Sequence, residues 1–143
     1  MINNTLLLVD DDVDDAELLT EGIHSVDHTI KCHVTHNGAE ALTILQTIPA
    51  PDLIFVDINM PKMNGWEYLL HLQNHALYKK IPVIIYSTSS YQKDLEYATE
   101  NGAWGFLTKP DDFEKLKAIL QIVLKKRKEP WDTNITLDLN TLI

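Results

Sequence analysis

Five short apolar, β-branched runs, each followed by a stretch with helical spacing, leave this chain few ways to fold. The runs are TLLLVD (5–10), IKCHVT (30–35), DLIFVD (52–57), PVIIYS (82–87) and WGFLT (104–108). Between and after them, residues recur at helical intervals: Ala16, Leu19, Ile23 and Val26; Ala41, Leu42 and Leu45; Trp66, Leu69, Leu70 and Gln73; Leu95 and Ala98; Leu116, Ile119, Leu120 and Val123. Strands joined through helices run parallel, and such crossovers are right-handed, so the pattern predicts an α/β fold: a three-layer α/β/α sandwich around a five-stranded parallel sheet. LLLV, LIFV and VIIY are unbroken apolar runs, as strands buried on both faces require, whereas IKCHVT alternates and belongs at an edge. The expected strand order is 2-1-3-4-5. Turn signals fit the same frame: Asn37-Gly38, Pro49 and Pro51, Pro82, and Asn101-Gly102.

The fifth helix is expected to stop in KKRKEP, where basic residues complement the carboxyl end of the helix dipole and Pro130 blocks propagation. Beyond it, Ile135, Leu137 and Leu139 alternate with polar residues. This segment reads either as a frayed tail or as an extra strand docking on its own or a partner subunit. The 143 residues carry a net charge of −9 and no basic stripe interleaved with aromatics, which argues against nucleic acid as a direct ligand. No signal-like start and no run of 18 apolar residues is present, so a cytoplasmic protein without a membrane partner is expected. Cys32 is alone and reads as small core filler, and the six histidines show no metal-ligand spacing.

Chemistry-bearing residues gather where the strands should end. Asp10 and Asp11 follow the first strand, Asp57 the third, Ser87 and Thr88 the fourth, and Lys109 the fifth. In an open α/β sheet that edge holds the ligand crevice. Two like unit charges about 4 Å apart repel by roughly 4 kcal/mol at an effective dielectric near 20, so the clustered carboxylates call for a cation. Hard oxygen ligands without histidine or cysteine point to Mg²⁺, with Mn²⁺ as the alternative. Magnesium suggests phosphoryl chemistry, and an ionised carboxylate beside it can act as the nucleophile, forming an aspartyl phosphate without a separate base. Asp57 is the candidate nucleophile, with Lys109 and the Ser87 hydroxyl serving the other phosphoryl oxygens.

These residues lie in four motifs that resemble the receiver domain of two-component response regulators: LLLVDDDVDDAELL, DLIFVDINMPKMNGWEYL, IPVIIYSTSS and GAWGFLTKP. The set is similar to single-domain receivers of the chemotaxis-regulator and phytochrome-linked kind. The resemblance implies a flavodoxin-like receiver domain over residues 1–128, with 129–143 a short tail too small for an output domain. It implies that Asp57 accepts phosphate from a sensor histidine kinase or histidine phosphotransfer protein, that Asp11, Asp57 and the Asn59 carbonyl ligate Mg²⁺, and that Asp10 holds a metal-bound water. Ser87 and Phe106 would be the switch pair, Phe106 swinging inward behind Ser87. Lys109 would pair with phosphoryl oxygens from a cis Lys109-Pro110 peptide, and Asn59, Thr88 and Ser89 would modulate the site. Output would be protein binding through the fourth helix, fifth strand and fifth helix, bordered by Lys93, Tyr97, Trp104 and Lys115, in a monomer or weak homodimer. On this reading the chain is a switch, catalysing only its own phosphorylation and dephosphorylation.

Blander readings compete at several positions. Asp12, Asp14, Asp15 and Glu17 can simply start a helix, because acids there are favoured by capping and by the dipole. Asp10, Asp12, Asp14 and Glu21 match four calcium-loop positions, but Asp15 stands where that loop needs glycine and a strand leads in. A receiver-shaped adaptor that never uses phosphate and a metal-dependent phosphohydrolase are the rival functions; Asn59, in place of a second acid two residues past Asp57, speaks against the hydrolase.

Overall fold

The computed structural model describes residues 3–89, 91–131 and 135–142. In chain order the elements are β1 (Thr5–Val9), α1 (Val13–Val26), β2 (Lys31–Thr35), α2 (Gly38–Ile44), β3 (Leu53–Val56), α3 (Gly65–Gln73), β4 (Val83–Ser87), α4 (Gln92–Glu100), β5 (Gly105–Thr108), α5 (Phe113–Lys126) and β6 (Leu137–Asp138). Short 3-10 turns lie at Tyr78–Lys80 and Leu139–Thr141. Every strand pair is parallel, and the order is β2-β1-β3-β4-β5-β6.

Period-two alternation along the strands builds the two cores. Leu6, Leu8, Phe55, Ile84 and Leu107 face α1 and α5, where they meet Leu19, Ile23, Leu116, Leu120 and Val123. Leu7, Val9, Ile54, Val56 and Ile85 face the other way, onto Ala41, Tyr68, Leu69, Leu72 and Ala98. Helix starts follow the local sequence. Asp12 caps α1, Asn37 caps α2, Asn64 and Glu67 form a reciprocal capping box on α3, and Asp112 caps α5. Gly102, at φ +78°, ends α4 in the left-handed conformation its sequence position suggests. The chain's single arginine is buried: Arg127 donates to the Leu124 carbonyl and to Asn4 Oδ1, and its Nε lies 3.9 Å from Asp52. It thereby ties the end of α5 to the segments that lead into β1 and β3.

Among the described residues the sheet has six strands, not the expected five. The tail turns back so that β6 pairs with β5, with Leu137 N–H donating to the Trp104 carbonyl, Thr136 Oγ1 donating to the Ala103 carbonyl, and Leu139 fully buried. Leu139 packs directly over Gly105, where a Cβ would sit 2.9 Å from Leu139 Cδ1 and oblige that side chain to shift. Trp104 is accordingly buried beneath the tail instead of bordering an open surface. A second difference concerns α3, whose inward residues are Gly65, Tyr68, Leu69 and Leu72, while Leu70 is 53% exposed. The helix turns this way because Gly65 must lie against the main chain of Asp57, where a Cβ would fall 2.2 Å from the carbonyl oxygen. The Lys109-Pro110 peptide is trans, not cis. Trans is the intrinsically favoured isomer, and from it the lysine already reaches its carboxylate partners.

Because Leu139 fills space over Gly105 as core, Leu139→Ala is expected to cost about 2–5 kcal/mol in urea unfolding, against less than about 0.5 kcal/mol for the exposed Ile135→Ala.

Candidate functional site

The strand ladders carry the site residues to one edge. Asp10 N–H donates to the Thr35 carbonyl, Asp57 N–H to the Val9 carbonyl, and Lys109 N–H to the Ser87 carbonyl, so each residue just past a strand is still held by its neighbour. Asp57 also has its carbonyl packed against Gly65. Oxygens of Asp10, Asp11 and Asp57 all lie within 4.8 Å of one another. Lys109 Nζ stands 2.9 Å from Asp10 Oδ2, 2.8 Å from Asp15 Oδ2 and 3.6 Å from Asp57 Oδ2. Asp10 Oδ1 accepts from the Asp12 N–H, and His36 Nδ1 donates to the Asp10 carbonyl.

Burial dominates the electrostatics. It pushes the Asp57 carboxyl up to about 6 against the opposing pull of Lys109, and it raises Asp10 as well, with hydrogen bonding from Lys109 working the other way. Burial also disfavours the Lys109 ammonium, yet hydrogen bonds to Asp15 and Asp10 and the charge of Asp57 outweigh it and hold the lysine above its ordinary value. Three carboxylates, Asp10, Asp15 and Asp57, thus surround one ammonium, and a fourth, Asp11, adjoins Asp10 and Asp57. Three oxygen donors so close together, short of compensating positive charge, suit a hard divalent cation.

The structure brings Asp10, Asp11, Asp57 and Lys109 together as the sequence predicts. Ser87 is fully buried at the end of β4, its Oγ accepting from the Ser89 N–H. Asn59 and Thr88 are exposed at the same edge. Ser89 Oγ donates to Asp94, and its carbonyl accepts from Thr108 Oγ1. Phe106 already points inward and is buried in the core, so no swing is needed to place it there. Three participants escape sequence reasoning. Asp15 does more than start α1, because its carboxylate pairs with Lys109 across 94 residues of sequence. His36 braces the Asp10 main chain, and Asn140 in the tail accepts the Thr108 N–H next to Lys109. No spacing signals any of the three, since each contact joins distant segments.

Comparison with known proteins bears on this edge. Residues 6–121 match the family described as response regulator receiver domain. Protein PilH of Pseudomonas aeruginosa is 31% identical over 83% of this chain and 96% of its own. Two other curated relatives, each 31% identical, are longer, and the chain spans 53% and 27% of their lengths. Among solved structures, the Mn²⁺-bound form of response regulator Rcp1 is 27% identical, with a TM-score of 0.77 over 90% of this chain and 96% of that one. The phosphorylated cyanobacterial phytochrome response regulator RcpA is 25% identical, with a TM-score of 0.79 over 87% and 94%.

The raised Asp57 carboxyl sets a pH dependence for the metal-free protein. Between 3.8 and about 6 the folded chain binds the proton that the unfolded chain has released, so this group costs stability as pH rises through that window and the cost levels off above it. Asp57→Asn is therefore expected to match wild type near the bottom of the window and to exceed it above, by on the order of 2 kcal/mol, in urea unfolding across pH. A pH-independent difference would contradict the assigned burial. By the same crowding, Asp11→Asn should melt higher than wild type without metal and gain less from Mg²⁺. A variant no more stable than wild type in chelator would sink the crowding argument.

Proposed function

The chain belongs to the response regulator receiver domain family, and from that premise we propose that Asp57 takes a phosphoryl group from a histidine kinase or histidine phosphotransfer protein in a Mg²⁺-dependent reaction. The phosphorylated form then signals by binding a downstream protein. The observation that carries this reading is the Asp57 carboxylate, held within 4.8 Å of Asp10 and Asp11 oxygens and 3.6 Å from the Lys109 ammonium at the carboxyl edge of a parallel sheet. A manganese-bound form of one structural neighbour and a phosphorylated form of another support its two halves.

In this reaction the ionised Asp57 attacks phosphorus while the bond to the donor nitrogen or acyl oxygen breaks with its electron pair leaving on the donor. No base is needed, because no proton sits on the nucleophile in its reactive form. Lys109 pairs with one phosphoryl oxygen as charge spreads over the group, and Ser87 Oγ donates to another. Bound Mg²⁺ would neutralise negative charge on the transferring group, with Asp11, Asp57 and the Asn59 carbonyl as ligands and Asp10 holding a coordinated water. On this reading Ser87 and Phe106 are the switch pair, with Phe106 buried opposite Ile85 of β4. Asn59, Thr88 and Ser89 are, on this reading, the residues that modulate how long the phosphoryl group lasts.

The output surface of this reading is the face of α4, β5 and α5; Lys93 and Lys115 are exposed on those helices, whereas the half-exposed Tyr97 packs edge-on against Trp66 of α3. Since β6 covers the outer edge of β5, a partner meets the two helices and the docked tail, not an open strand edge.

Incubation with Mg²⁺ and acetyl phosphate is expected to add one phosphate per chain by intact mass, and none to Asp57→Asn. No uptake would favour an adaptor that ignores phosphate. Continuous turnover of a phosphoester would favour a hydrolase.

A further inference from the structure

We propose that Asp15 is a positioning residue: its carboxylate holds the Lys109 ammonium off the phosphoacceptor, leaving Asp57 free for cation and phosphodonor. The inference rests on the phosphoacceptor role of Asp57. An ammonium has three hydrogens to donate, and Lys109 has three carboxylates around it. Asp15 and Asp10 lie within hydrogen-bond distance at 2.8 and 2.9 Å, whereas Asp57, at 3.6 Å, does not. Asp15 is also the outermost of the three, its side chain 32% exposed against 4% and 9% for Asp10 and Asp57, so it draws the ammonium toward the rim.

The helix-starting role does not account for this carboxylate. Asp12 supplies the cap of α1 by accepting the Asp15 N–H at 3.0 Å, which fixes the Asp15 backbone and leaves its own side chain for the lysine. With Asp15 neutralised, the strongest remaining anchor for the third ammonium hydrogen is Asp57. A direct Lys109–Asp57 bond would tie up the carboxylate that must attack phosphorus and that also belongs to the three-carboxylate cluster. Asp15 would thus raise cation affinity and phosphorylation rate although it lies outside that cluster.

The competing explanation is charge alone, since any acid nearby attracts a cation. A double-mutant cycle separates the two. By calorimetric titration with Mg²⁺, Asp15→Asn should weaken binding by about 3- to 10-fold, Asp14→Asn on the same exposed turn should change it by less than about 2-fold, and Asp15→Glu should recover most of the loss. In a Lys109→Met background, Asp15→Asn should have no further effect. An equal loss with and without the lysine, or an equal loss in Asp14→Asn, would overturn the proposal in favour of charge. Phosphorylation of Asp15→Asn by acetyl phosphate at saturating Mg²⁺ should also be slower than wild type, and an unchanged rate would count against it. The titration needs no phosphate transfer, so it judges Asp15 even if wild type takes up no phosphate, the result that would instead remove the functional reading.

Discussion

Lys109 places one ammonium among carboxylates from two different parts of the chain's amino half, and that contact is what allows the carboxyl edge of the sheet to exist in this form. Asp10 and Asp57 are almost fully buried, and two buried anions facing each other without a counterion would raise their carboxyls further or push the strands apart. The lysine reaches them from the end of β5 while also engaging α1 through Asp15. Three segments that are remote in sequence, around residues 10–15, 57 and 109, are thereby held to one point. The balance is incomplete, because one ammonium faces three carboxylates and Asp11 adds a fourth to the cluster, and the deficit is what a divalent cation can fill.

The rest of the architecture serves to present that point. Strands β1, β3 and β4 are buried on both faces, so their side chains are committed to packing and only their carboxyl ends are available for polar chemistry. Close approach of α3, permitted by Gly65, fixes the main chain at Asp57. On the far side, the docked tail meets β5 one residue before Lys109, where Asn140 accepts the Thr108 N–H and Thr108 in turn holds the Ser89 carbonyl. The carboxyl edge of β5, the loop after β4 and the tail are therefore linked by direct hydrogen bonds.

Much of this was legible in the sequence. The alternation of apolar runs and helical spacings predicts the parallel three-layer fold and the order of its first five strands, and the strand-end positions of Asp10, Asp11, Asp57, Ser87 and Lys109 predict a common site. The turn from KKRKEP into a packed β6 was open between fraying and docking, because Ile135, Leu137 and Leu139 alternate equally well in either case. The spacing of Trp66, Leu69, Leu70 and Gln73 does not reveal which face of α3 turns inward, since Trp66 and Leu70 are as apolar as Tyr68 and Leu72. Only the close approach at Gly65 decides between them.

What the sequence by itself determined is what depends on neighbours along the chain: period, caps, turns and the residue that follows each strand. Tertiary structure alone decided which distant groups meet. It gave Asp15 to Lys109, His36 to the Asp10 carbonyl and Asn140 to Thr108, and it placed Leu139 over Gly105. Those contacts depend on three-dimensional distances of a few ångströms between residues tens of positions apart, and local periodicity carries no record of them.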